Sequence, residues 1–134
     1  MSIREIPFTT MADGTDLKLN ICEITGKNGT GPTVAISAGI HGDESTGTKI
    51  ILDLFRELKD GNFKGKLLLL PVANPLSFAA MKRVTPDLHL DPSNLNRVFP
   101  GNENGSLTQQ LAALITKSFL QDVDVYIDLH AGGH

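Results

Sequence analysis

Two short and nearly uninterrupted apolar runs constrain this chain more than anything else in it: TVAISAG at 33–39 and KLLLLPV at 66–72. Runs of this kind suit strands buried on both faces, as in a sheet with helices packed over it. Between them, Ile50, Ile51, Leu54, Phe55 and Leu58 fall on one helical face. That spacing predicts a helix from near Glu44 to the KDGN turn at 59–62, where Gly61 stops it. LKLNICEI at 17–24 alternates like a half-buried strand, and KNGTGP at 27–32 is turn chemistry.

After the second run, PLSFAAMK at 75–82 predicts a short helix with proline in its first turn. Residues 83–105 are rich in Pro, Asn, Asp and Gly, a long loop of the kind that carries function. SLTQ at 106–109 is a capping-box pattern, and Leu107, Leu111, Leu114 and Ile115 then line one helix face. In VDVYIDLH at 123–130, Val123, Val125, Ile127 and Leu129 alternate with polar partners. Strands interleaved with helices predict an α/β fold with a mainly parallel or mixed sheet flanked by helices. In such sheets ligands collect beyond the carboxyl ends of the strands. His41, Asn74 and His130, each following a strand, are therefore expected on one edge.

The 134 residues fit one domain, read as a single unit over 1–134. The net charge of −3 is spread along the chain with no Lys/Arg run, which argues against a nucleic-acid partner. No apolar stretch approaches the roughly 20 residues that span a bilayer, so no membrane role is expected. MSIREIPFTT has no apolar leader core, and the single cysteine, Cys22, allows no internal disulfide; the expected compartment is the cytoplasm. The chain stops at DLHAGGH, directly after an apolar alternation. That ending is expected of the N-terminal part of a larger unit, with His134 compatible with a tag residue.

The densest chemistry lies in GIHGDESTG at 39–47, where His41, Asp43 and Glu44 sit at a strand-to-helix junction. A catalytic Zn²⁺ takes three protein ligands and keeps one open position, and two His with one Glu is an established set. The spacing of His41 and Glu44 lets one turn aim both at a point, and His130 could close the set. Against this, acids at a helix start are favoured by the helix dipole alone, and a strand-end histidine is usually just hydrogen-bonded. Asp43 is expected to cap or orient the loop. Asp128 lies two residues before His130 on the same strand face, either as an orienter of that ring or in an ordinary loop-end hydrogen bond. His89 is expected to be solvated. Arg97 without its motif reads better as a surface ion pair than as a binding group, and Asn74 reads equally as a simple turn residue or a functional one. GDESTGTK at 42–49 fails as a phosphate-binding loop because Thr48 stands where lysine is needed. No Gly-x-Ser-x-Gly elbow is present, and Cys22 has no obvious base.

GIHGDE at 39–44, NP at 74–75, NLNRVFPG at 94–101 and DLH at 128–130 together resemble the succinylglutamate desuccinylase/aspartoacylase family. Its members are zinc-dependent N-acyl-amino-acid hydrolases related to the zinc carboxypeptidases. The resemblance runs from about residue 30 to residue 133. It implies a zinc-carboxypeptidase-like fold, one Zn²⁺ held by His41, Glu44 and His130, and substrate-carboxylate binding by Asn96 and Arg97. A guanidinium fork suits a carboxylate on physical grounds as well. Arg83 matches the arginine that steadies the oxyanion, with Lys82 beside it leaving the alignment open. Where the family often has Asp-Leu-Asn-Arg, this chain has Asn94-Leu95-Asn96-Arg97, which leaves the aspartate's role unassigned.

The family's general-base glutamate and its carboxyl-terminal β domain have no counterpart in these residues; Glu103 is the one acid of the long loop that could stand in. The expectation is a zinc hydrolase cleaving the amide bond of a small N-acyl amino acid, with the chain by itself inactive. Two rivals share the site: a non-catalytic zinc- or carboxylate-binding module, and a metallocarboxypeptidase acting on peptides. Histidine binds metal only when neutral, so zinc affinity is expected to fall as pH drops through the region near 6–7.

Overall fold

A computed structural model describes residues 1–86 and 94–132 of the chain; His89 and His134 lie outside the described residues. The elements run β1 (Ser2–Thr10), β2 (Asp16–Thr25), β3 (Thr33–Ala38), α1 (Ser45–Leu58), β4 (Lys66–Leu70), α2 (Pro75–Ala79), a 3₁₀ turn (Leu95–Arg97), α3 (Leu107–Ser118) and β5 (Val125–Leu129). The five strands form one mixed sheet in the order β1-β2-β4-β3-β5. β3 is parallel to both β4 and β5, whereas β1–β2 and β2–β4 are antiparallel. No helix among the described residues is long and apolar enough to cross a membrane.

Why the apolar runs are uninterrupted is visible in β4. Successive side chains point to opposite faces, and both faces are covered. Leu68 and Leu70 join the core with Leu111, Ile115 and Phe119 of the α3 segment. Leu67 and Leu69 join Ile51 on the other face, with Phe55 and Leu58 packed against them. α3 begins at the expected capping box: the Ser106 side chain accepts from the Gln109 N–H, and Gln109 returns the contact to the Ser106 N–H. α2 starts with Pro75 at its first position, behind an Asn74 cap.

Three expectations need correction. β1 has no counterpart among the expected strands. Pro7 argues against a regular strand, and the ladder does shift register between Pro7 and Thr9. An edge position tolerates this. Ile50 does not belong to the buried stripe of α1: it is 45% exposed, and Gly47, Thr48 and Ile51 are the buried positions. In β5, Val125 and Ile127 are 45% and 44% exposed, because β5 is the outermost strand.

The loops that follow β3 and β4 are stitched together at the carboxyl edge. Ala73 and Asn74 N–H donate to the carbonyls of Ala38 and Gly39, and Gly42 N–H donates to the Lys82 carbonyl at 2.9 Å. Gly39 turns the chain with φ +67°, a conformation that favours glycine. At Gly42 the reason is approach: a Cβ there would lie 1.9 Å from the Ser77 carbonyl oxygen. Residues 39–44 therefore lie against the end of α2, which fixes where His41 and Glu44 emerge.

The two isoleucines of α1 give opposite expectations despite being neighbours. Ile51→Ala should destabilise the fold by about 2–5 kcal/mol, and Ile50→Ala by less than about 0.5 kcal/mol. Urea denaturation of the two variants checks this; equal losses would contradict the assigned helix face.

Candidate metal centre

The carboxyl ends of the parallel strands bring His41, Glu44 and His130 together. One ligand atom from each can be chosen so that all lie within 4.8 Å of one another. The ring centroids of the two histidines are 5.0 Å apart. Asn74, expected on the same edge, is there but is not in the cluster. Its side chain caps α2 through the Ser77 N–H and donates to Thr85 Oγ1, which also accepts from Thr108 Oγ1.

Glu44 occupies the N-cap position of α1, yet its side chain makes no cap hydrogen bond. Instead the carboxylate, 5% exposed, faces the cluster. His41 Nδ1 lies 3.0 Å from Oε1 and His130 Nδ1 lies 2.8 Å from Oε2. Arg83 Nη1 donates to Oε1 at 2.7 Å, and the Ala131 N–H donates to Oε2 at 3.1 Å. Burial works against the Glu44 charge, but His130, Arg83 and His41 outweigh it and hold the carboxyl below its ordinary value. For His130, burial likewise opposes the charge, and Glu44 with Asp128 overcomes it and raises the ring.

Each ring turns its other nitrogen to an oxygen. His130 Nε2 is 2.7 Å from Asp128 Oδ2. His41 Nε2 is 3.2 Å from Asn94 Oδ1, and that same oxygen accepts from the Asn96 N–H at 3.1 Å. The Asn96 donor fixes which end of the Asn94 amide faces the ring, since an NH₂ group there would meet an N–H. Both nitrogens of each ring thus face oxygens, Nδ1 those of Glu44 and Nε2 those of Asn94 or Asp128, and a ring that keeps its proton on Nε2 has Nδ1 free to bind a cation shared with Glu44. Asn94 is thus a neutral acceptor on His41, while His130 has a carboxylate.

The remaining expected residues are placed as follows. Arg83 reaches the cluster; adjacent Lys82 contributes its backbone carbonyl to Gly42 instead. Asn96 and Arg97 are exposed on the 3₁₀ turn that Asn94 caps, so they adjoin His41 through that residue. Asn96 also lines an open groove of about 430 Å³ with Ile40, Phe99, Tyr126 and Asp128. Asp43 is exposed, and the N-cap position is Glu44, not Asp43. Glu103 pairs with Lys117 at 3.2 Å on the surface. Thr48 donates to the Pro71 carbonyl, and Lys49 pairs with Asp53, so neither serves a phosphate.

Ser37 and Tyr126 were not singled out from the sequence. Ser37 Oγ donates to Asp128 Oδ1 at 2.6 Å and lies 2.7 Å from the Tyr126 hydroxyl. The available signal was the lone hydroxyl inside AISA, which pairs in register with Asp128. That pairing depends on strand order, which no local pattern reveals.

Residues 30–134 match the succinylglutamate desuccinylase/aspartoacylase catalytic domain. An N-alpha-acetyl-L-2,4-diaminobutyric acid deacetylase of Halomonas elongata is 36% identical over 107 residues, covering 80% of this chain and 30% of that protein. A succinylglutamate desuccinylase of Vibrio parahaemolyticus is 30% identical over 135 residues, covering 90% of this chain and 37% of its own length. The chain thus spans about a third of these relatives. Among solved structures, an aspartoacylase family protein of Mesorhizobium loti superposes with a TM-score of 0.83 at 34% identity, over 96% of this chain and 40% of that one. Thrombin activatable fibrinolysis inhibitor superposes with a TM-score of 0.71 at 14% identity, over 98% of this chain and 43% of that one, a likeness of fold alone.

The electrostatics of the cluster set a pH window for the chelator-treated protein. Glu44 is held below its ordinary 4.5, so its contribution to stability is present above that value and lost as pH falls through the lowered one. His130 is raised above 6.5, so its contribution is full below that value and lost as pH rises through the raised one. Both act together between 4.5 and 6.5. The stability gap between the native chain and His130→Gln, read by urea denaturation, should therefore shrink between about pH 6 and about pH 9. A gap that widens toward alkali would contradict the assignment.

Proposed function

The chain belongs to the succinylglutamate desuccinylase/aspartoacylase family, and we propose that residues 1–134 form the metal-binding portion of a zinc-dependent hydrolase that cleaves the amide bond of an N-acyl amino acid. One observation carries this reading: two imidazole Nδ1 atoms and one carboxylate, drawn from distant parts of the chain, converge on a single point. Two His and one Glu is a donor set that suits Zn²⁺ with a position left for substrate or water. The outward ring nitrogens are already satisfied by Asn94 and Asp128, as histidine ligands require. Bound there, zinc would polarise the acyl carbonyl and make a neighbouring water acidic.

The chain's own groups then divide the work. Glu44, His41 and His130 hold the ion. Arg83, 47% exposed and beside Glu44, donates to the oxygen on which negative charge develops as the amide carbon is attacked. Removing one such donor costs about 3–4 kcal/mol of transition-state stabilisation. Arg97 takes the substrate carboxylate through parallel N–H donors, with Asn96 beside it. The proton that must reach the leaving amine needs a further acid–base group at the cluster; Glu103 lies on the surface against Lys117 and does not supply it. The names of the relatives, a diaminobutyrate deacetylase and a succinylglutamate desuccinylase, support small N-acyl amino acids as the substrate class.

The purified chain should bind one Zn²⁺, as read by metal analysis and calorimetry, and His41→Ala or Glu44→Gln should lose most of that binding. Affinity should be weaker at about pH 6 than at about pH 8, since a proton on His130 competes with the metal. Hydrolysis of N-acetyl and N-succinyl amino acids by this chain alone should be slow or absent. Rapid turnover would overturn the need for a further acid–base group, and release of C-terminal residues from peptides would favour a carboxypeptidase. Native protein without bound or bindable zinc sinks the metal-site reading itself.

A further inference from the structure

Behind the cluster, on the face of the sheet toward α3, three polar side chains of β3 and β5 form a chain of hydrogen bonds among apolar neighbours. Ser37, 1% exposed, stands opposite Asp128 in the parallel register of the two strands. Tyr126 lies two residues before Asp128 and so projects from the same face. Ser37 Oγ is 2.6 Å from Asp128 Oδ1 and 2.7 Å from the Tyr126 hydroxyl. A serine hydroxyl has one proton to give. The carboxylate is the stronger acceptor, so that proton goes to Asp128, and the second contact requires Tyr126 to donate to Ser37. Burial pushes the Tyr126 phenol up to about 12, which keeps it a donor across the physiological range. Asp128 Oδ1 is thereby occupied, and Oδ2 is left for His130 Nε2 at 2.7 Å.

We infer that Ser37 and Tyr126 are positioning residues for the metal centre: their hydroxyls, donating in series, fix the Asp128 carboxylate so that it orients the His130 ring. This rests on the proposed metal-binding role of His130. The reason for a serine in the middle of a buried strand follows. An aspartate at a strand end has two χ angles to settle, and no apolar neighbour can hold it. A hydroxyl at the paired position of the adjacent strand is close enough to do so. His41 depends on none of these groups, since its outward nitrogen faces Asn94 on another segment. The two histidines are therefore held by independent supports, one reached through the sheet and one through the 3₁₀ turn.

The test uses the full chain with Ser37→Ala and Tyr126→Phe, and two readouts. Calorimetric titration with Zn²⁺ should show Ser37→Ala binding about tenfold more weakly than the native chain, at the low end of the loss typical for groups that support a ligand, with a smaller loss for Tyr126→Phe. Proton–nitrogen correlation of the histidine rings in chelator-treated protein should show the His130 Nε2–H resonance moving in both variants while that of His41 stays in place. A merely structural defect would not single out one ring. Native-like affinity together with an unmoved His130 resonance in Ser37→Ala overturns the inference. Should that variant not fold, an unmoved His130 resonance in Tyr126→Phe, whose ring sits at the open sheet edge, overturns it equally. Because the ring resonances are read without metal, a native chain that fails to bind zinc would sink the metal-site reading while the resonances still decide whether the hydroxyls hold Asp128.

Discussion

A buried carboxylate must be compensated or neutralised, and the whole carboxyl edge of this molecule is arranged around that requirement at Glu44. Its two oxygens are reached by groups from residues 41, 83, 130 and 131. These come from three different segments, one after β3, one after the β4–α2 unit and one after β5. Parallel pairing of β3 with β4 and β5 is what lets the loops meet, because parallel strands end on the same side. In an antiparallel arrangement of the same segments, His130 would leave the sheet at the opposite edge. The charge on Glu44 and the strand order are thus two aspects of one constraint.

The supports behind this carboxylate form separate branches. His41 is backed by Asn94, which also caps the turn bearing Asn96 and Arg97. Arg83 is two residues from Thr85, a buried hydroxyl bridging Asn74 and Thr108. Gly42 joins the first loop to the carbonyl of Lys82. Arg83, Asn96 and Arg97 are therefore exposed, while Asn74, Thr85 and Thr108 behind Arg83 are buried and hydrogen-bonded. Such preorganisation lowers the cost of assembling charged groups when a ligand arrives. His130 differs in having a carboxylate partner, and this negative neighbour helps to raise its affinity for a proton as well as its basicity toward a metal.

Much of this was legible in the sequence because the signals were local. The uninterrupted leucines of β4, the Ser106 capping box and the proline after Asn74 each state their element within a few residues. His41, Glu44 and His130 were legible as a set because four distinct blocks appear in order. What escaped depended on tertiary context. β1 was obscured by Pro7, whose cost vanishes only at a sheet edge. Ile50 and Ile51 are equivalent to a periodicity argument over so short a helix; only the position of the sheet separates them. Ser37 has meaning solely through its register with Asp128, and Asn94 solely through its distance to His41. Pairings across strands and loops are set by closure of the fold, which no window of sequence contains.

The start of α1 shows what the arrangement gives up. The N-cap of a helix is the position where a short polar side chain turns back to its own first-turn N–H groups and adds about 1 kcal/mol. Here that position belongs to Glu44, whose side chain reaches away from the helix into the cluster. Glutamate is also a weaker cap than Ser, Asp or Asn. Selection for thermal robustness alone would favour one of those residues at 44, and each would tend to tighten the helix while dismantling the cluster. Durability and chemistry therefore make opposing demands at this single backbone position.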